Sequence, residues 1–168
     1  MNPSAIHEST TSAAPEGTET ARTDPSEAPV LQAFGQEMRV LLGGEQTGGR
    51  CTVLLDIVPP GLGTPPHYHT REDEAFYVLE GRAAFWREGE WEEVPVGTTV
   101  FAPRGVVHGF QNIGTSPLRV LITLTPSGFE KWFARCARAF AGTAQPNLQQ
   151  LAALAAEHGM HFAAPGTQ

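Results

Sequence analysis

The sequence predicts an all-β fold, an antiparallel sandwich or barrel, with a disordered N-terminal tail and two C-terminal α-helices. Three observations carry that expectation. Gly (18) and Pro (14) are abundant in 168 residues, so the chain turns often. Between those breakers lie short runs of β-like residues with no interleaved helical pattern. Past Pro126 apolar residues recur every three or four positions, which marks a change to helix. The length suits one domain with one core.

Residues 1–29 are rich in Ser, Thr, Pro, Ala and Glu, and too little there is apolar to offset the entropy of ordering, so they form the expected tail. Candidate strands then run over Glu37 to Leu42, Arg50 to Val58, Pro66 to Thr70, Glu74 to Glu80 and Arg82 to Arg87. Four more cover Trp91 to Val94, Thr98 to Ala102, Val106 to Asn112 and Leu118 to Thr125. Short strands in such close succession, within a barrel domain over 30–126, hide their edges by closure or by a second sheet. Over 127–160, Phe129, Trp132, Phe133, Cys136, Ala137 and Phe140 trace one apolar helix face, and Leu148, Leu151, Leu154 and Ala155 trace another. The helices are separated by Gly142 to Pro146, with Ser127 and Asn147 as N-caps and Gly159 as the stop of the second. The aromatic stripe is expected to pack on the barrel or on a partner subunit, and residues 161–168 form a short tail.

Charge and composition exclude several classes. Eighteen acidic against eleven basic residues leave a net charge of −7, and the tail alone holds Glu8, Glu16, Glu19, Asp24 and Glu27 against Arg22. Such a chain lacks the cationic surface that nucleic acid needs. No apolar run approaches the roughly 18 residues of a membrane span and no basic-then-apolar leader opens the chain, which gives the expectation of a cytoplasmic protein with no membrane partner. Cys51 and Cys136 lack metal or disulfide spacing and read as reduced packing residues.

The chemistry is concentrated between Gly61 and Asn112. In a strand, residues two apart share a face, so His67 and His69 present two imidazoles on one side with Cα atoms roughly 7 Å apart, the reach needed to chelate one ion. Four residues separate His69 from Glu74, a hairpin-length connection that lets Glu74 open the neighbouring strand and point its carboxylate beside them. His108 follows a turn at Ala102-Pro103-Arg104-Gly105 and can return to the same interior as a fourth ligand. By the period of two, Phe76 and Val78 accompany Glu74, and Phe110 accompanies His108, as an apolar substrate pocket. Arg71, Glu72 and Asp73 read as a solvated turn, with Asp73 a candidate acceptor for a ligand imidazole.

These residues resemble the two motifs of the cupin superfamily. The first is carried by Gly61, His67, His69, Glu74 and Gly81, and the second by Gly97, Pro103, Gly105, His108 and Asn112. The resemblance implies a small jelly-roll β-barrel holding one divalent transition metal on His67, His69, Glu74 and His108. Imidazole nitrogens with one carboxylate suit Fe, Mn, Ni, Co, Cu or Zn. Four protein ligands leave open positions for a substrate or dioxygen, a catalytic layout. Longer segments resemble the single-domain, quercetinase-like cupins: Gly43 to Thr47, Glu74 to Gly81, Pro126 to Phe133, and the helix from Leu151 to Gly159. That likeness implies a dioxygenase acting on an aromatic or enolisable small molecule, in which Glu74 is both ligand and base, and a homodimer joined through sheet contacts. Two alternatives stand beside it. A cupin isomerase or epimerase on a sugar would need cations to hold phosphate, for which Arg82 and Arg104 are the available turn residues. A non-enzymatic metal or small-ligand binding module would bind without turnover.

Overall fold

The computed structural model describes residues 19–139, 141 and 147–163. The expected tail up to residue 18, Phe140, the Gly142 to Pro146 connection and residues 164–168 lie outside them. In chain order the elements are β1 (Val30–Ala33), β2 (Gln36–Leu42), α1 (Gly44–Thr47), β3 (Thr52–Val58), β4 (Gly63–His69), β5 (Asp73–Glu80) and β6 (Ala83–Arg87). They continue with β7 (Glu90–Val94), β8 (Thr99–Ala102), β9 (His108–Asn112), β10 (Leu118–Thr125), α2 (Glu130–Ala139), α3 (Leu148–Glu157) and β11 (Met160–Phe162).

Two antiparallel sheets face each other in a jelly roll. One has the order β1-β2-β3-β10-β5-β8 and the other β11-β4-β9-β6-β7. Strict alternation builds the interface between them. On β10, Leu118, Val120, Ile122 and Leu124 are buried while Arg119, Leu121 and Thr123 between them are half-buried. Phe76 of β5 meets Phe85 of β6 and Phe110 of β9 across the gap, at ring separations of 5.2 and 5.7 Å. Each such buried ring stabilises the fold by about 2–3 kcal/mol.

All nine expected strands are present, with ends shifted by a few residues, and three elements appear beyond them. β1, α1 and β11 are each too short for a period to show in sequence. His161 and Phe162, expected in the C-terminal tail, belong to β11, where Met160 pairs with His69 and Phe162 with His67. At the other end, Ala28 is buried, the Pro25 carbonyl accepts from Arg39 Nη1 at 2.8 Å, and the Pro29 carbonyl accepts from the Val40 N–H. The stretch from Pro25 to Pro29 therefore lies against β2.

Two glycines fix chain reversals. Gly81 has φ +92°, and a Cβ there would lie 2.8 Å from Leu118 Cα, so the β5–β6 turn requires its absence. Gly159 has φ +81° and turns α3 into β11, with its carbonyl accepting from Thr70 N–H at 2.8 Å. Asn112 is a clasp: its Nδ2 donates to Val58 O and Ser116 O, both at 2.8 Å, and its Oδ1 accepts from Gly114 N–H. A buried amide so fully used explains why the second motif ends on Asn.

The helices close over one end of the barrel. Asn147 caps α3 as expected, its Oδ1 accepting from Gln150 N–H at 3.1 Å. At α2 the Glu130 carboxylate, not a Ser127 hydroxyl, takes the Gly128 N–H; Ser127 instead bonds through its backbone to Gly49 O. No helix among the described residues is long and apolar enough to cross a membrane.

Candidate metal centre

β4 runs in the five-stranded sheet with β9 beside it, and the register sets His67 directly opposite His108. His69 follows on the same face. Glu74 comes from the opposite sheet: β4 and β5 are not hairpin partners, because Thr70 to Glu72 carry the chain from one sheet to the other. The connection has hairpin length but crosses between layers, and the carboxylate reaches the imidazoles from across the barrel. The Pro103 turn is tied to β4 by Gly105 N–H donating to His69 O at 2.7 Å, which holds His108 in place.

His67, His69, Glu74 and His108 are all buried, and one ligand atom from each lies within 4.8 Å of the others. His67 Nε2 is 3.2 Å from His69 Nε2, and Glu74 Oε2 is 2.9 Å from His108 Nε2 and 3.4 Å from His69 Nε2. The outer nitrogens are anchored. His67 Nδ1 donates to Pro65 O and His108 Nδ1 to Val106 O, each at 2.9 Å. A carbonyl only accepts, so each ring carries a proton on Nδ1 and turns its Nε2 toward the centre, where it could hold an ion. Two close lone pairs and a carboxylate in a buried site call for a shared cation, and the donor set fits a divalent transition metal.

The electrostatics agree. Burial drives His67 down to about 3, with the neighbouring His108 adding to the effect, so this imidazole stays neutral. Burial alone would raise Glu74, but the hydrogen bond from His108 and the adjacent imidazoles bring it below the ordinary carboxylate value. Burial would lower His108, yet its hydrogen bond to Glu74 turns the balance upward: with no ion in the site a proton bridges His108 Nε2 and Glu74 Oε2, the position a cation would take over.

A cavity of about 230 Å³ opens on His67, His69 and Glu74. Its walls are largely aromatic: Phe76 and Phe110 from the barrel, Phe34 from the β1–β2 turn, and Phe129, Trp132 and Phe133 from the start of α2. Phe129, Trp132 and Phe133, expected to pack on the barrel or on a partner subunit, thus do two things, since they pack in the core and line the space above the imidazoles. Phe129 lies edge-on to His69 at 4.4 Å between ring centres. Val78, expected beside Phe76 in the pocket, points inward but sits deeper in the core, off the cavity wall.

The turn before Glu74 differs from expectation. Glu72 is buried, with Oε2 3.4 Å from His69 Nδ1, whereas Asp73 accepts three hydrogen bonds from Arg104, the shortest at 2.7 Å. Alternation explains it, because Asp73 is one step out of phase with the inward-facing Glu74. Two further polar residues on the cavity wall, Gln36 and Asp56, were not singled out from sequence. For Asp56 the signal was present: an acid with the parity of Leu54 and Val58 inside the apolar run Thr52 to Val58.

A family model described as a cupin domain matches residues 54–124, a span that contains all four clustered side chains. The chain belongs to the cupin superfamily. An uncharacterised protein of Methanocaldococcus jannaschii is 39% identical over 99 residues, covering 58% of this chain and 79% of that one. Quercetin 2,3-dioxygenase of Bacillus subtilis is 26% identical over 119 residues, covering 71% of this cupin but only 35% of the enzyme. Among solved structures, the polyketide cyclase RemF from Streptomyces resistomycificus has a TM-score of 0.57 at 27% identity, covering 65% of this chain and 81% of its own.

Proposed function

We propose that this cupin is a metal-dependent dioxygenase of the quercetinase-like group, acting on an aromatic or enolisable small molecule. The observation that carries the reading is the opening of the three-imidazole, one-carboxylate cluster onto an aromatic-walled cavity. At about 230 Å³ the cavity is below the roughly 300–1,000 Å³ of pockets for drug-sized ligands, which favours a small, flat molecule. Among the described residues lining it none is Lys or Arg, so it lacks what a sugar phosphate would need. The similarity to a quercetin dioxygenase and to a polyketide cyclase supports the same class of substrate.

When bound, the metal supplies a Lewis acid and a template on which an oxygen donor and dioxygen can meet. His67, His69 and His108 would hold it together with Glu74, with Pro65 O and Val106 O locking two of the rings. Glu74, ionised at neutral pH, accepts the proton of the substrate's enol or phenol hydroxyl, a role worth about 10²–10⁴ in rate. The aromatic walls orient the ring and exclude water from the anion so formed.

The test is dioxygen uptake with flavonols and 1,3-diketones after loading with each candidate metal. Uptake with at least one pair, lost in Glu74→Gln, is the expected result. No uptake with any pair overturns the reading.

A further inference from the structure

Asp56 lies in the middle of β3, and its parity with Thr52, Leu54 and Val58 turns it inward among apolar side chains. Register sets it beside Met38 of β2 and Val120 of β10, neither of which can hydrogen-bond through its side chain to a carboxyl. The Ile57 backbone N–H serves the carboxyl, but its Oδ1 has no hydrogen-bond partner, although the residue is only 4% exposed. Buried carboxyls are costly without partners, and such groups persist where something other than stability retains them. The same side chain lines the aromatic cavity shared with His67, His69 and Glu74. Trp132 Nε1, on a residue of that wall, is likewise buried and unpartnered. An indole N–H only donates, so the wall offers an acid and a donor to whatever enters.

We propose that Asp56 is the specificity-determining residue of this cavity, accepting a hydrogen bond from a hydroxyl carried on the ring of an aromatic 1,3-dicarbonyl or related enolic ligand. Trp132 Nε1 complements it by donating to an oxygen of the ligand. The inference rests on the reading of the site as one for aromatic or enolisable molecules, and adds that the ligand bears a hydroxyl separate from the oxygens that face the metal cluster. Burial pushes the Asp56 carboxyl up to about 7 against the opposing backbone hydrogen bond of Ile57, with the charge of Glu74 adding to the rise, and Oδ1 stays open to a ligand. A site built to bind a hydroxyl rejects the analogue that lacks it, because its own polar group is then left unpaired.

The experiment is calorimetric titration of the full chain, as purified and again after metal removal. The probes are benzoylacetone bearing a ring hydroxyl at the meta or para position, and the corresponding methyl ethers. The wild type is expected to bind one hydroxyl form at least about tenfold more tightly than its ether. Asp56→Leu loses that preference, Asp56→Asn keeps part of it through the amide oxygen, and Asp56→Leu raises Tm because a buried acid with an unpaired oxygen is gone. A wild type that binds neither probe or does not discriminate overturns the proposal. So does an Asp56→Leu variant that still discriminates, or a fall of Tm in both variants, which would make Asp56 a structural residue. Dioxygen uptake is read separately: its absence with discrimination intact removes the dioxygenase reading alone, and uptake with discrimination absent removes the role of Asp56 alone.

Discussion

Glu130 and Asp56 are two carboxyls drawn into the same domain by opposite means. Glu130 Oε1 accepts from Gly44 N–H at 3.1 Å, and its Oε2 accepts from Thr52 Oγ1 at 2.5 Å and from Gly128 N–H at 2.8 Å. Burial would raise its pKa, but these bonds outweigh burial and bring it below the ordinary value. It staples α2 to α1 and β3, and so holds the aromatic wall over the barrel. Asp56 has no such set of donors, keeps Oδ1 unpaired, and is pushed up to about 7. A satisfied carboxyl marks a joint of the architecture, and an unsatisfied one facing a cavity marks a place where the architecture is completed by something else.

The widest separation between the two comes from pH. Because the folded-state value of Asp56 lies above its ordinary 3.8, the folded protein holds that proton more tightly than the unfolded chain. The contribution of Asp56 is therefore undiminished below about pH 4, falls as pH rises toward 7, and stays at the lower level above it, whereas the lowered Glu130 contributes in the opposite sense in acid. Asp56→Asn should remove this slope and gain on the order of 4 kcal/mol over wild type at pH 8, measured by denaturant titration at a series of pH values. Equal slopes for the two proteins would show that the carboxyl has found a partner. Glu130→Ala should move the other way, losing about 2 kcal/mol at neutral pH by chemical denaturation as Gly44, Gly128 and Thr52 lose their acceptor. A neutral result there would collapse the distinction between the two acids.

A smaller effect separates the neighbours Glu72 and Asp73. Glu72 is buried against His69 Nδ1, so Glu72→Gln should weaken metal affinity by about tenfold in competition with a chromogenic chelator. Asp73→Asn should leave it unchanged, since that carboxylate serves the exposed Arg104. Reversal of the pair would return the supporting role to Asp73.

Most of the fold was legible because alternation is strict where one face is buried. The run from Leu118 to Thr125 could be read to the residue, and the four clustered side chains stood out by type and spacing. β11 was not legible, since its three residues take their conformation from pairing with β4 and not from a pattern of their own. The placement of β5 in the opposite sheet was hidden for a related reason: the length of the Thr70 to Glu72 link is compatible with a hairpin and with a crossover, and the choice is made by tertiary packing. The second use of Phe129, Trp132 and Phe133 was hidden because a helix face that packs and one that lines a cavity share the same period. Asp56 was visible as an acid within an apolar strand, but its meaning depends on the absence of a partner, which spacing cannot express.

The account depends most on the cluster of His67, His69, Glu74 and His108 holding an ion. Elemental analysis of the purified chain, beside Glu74→Ala and His108→Ala variants loaded and desalted in parallel, tests that directly. The account predicts a single bound transition metal in the wild type and its loss from both variants. Equal metal content in all three proteins, or none retained by the wild type after loading with any of the candidate ions, would contradict it.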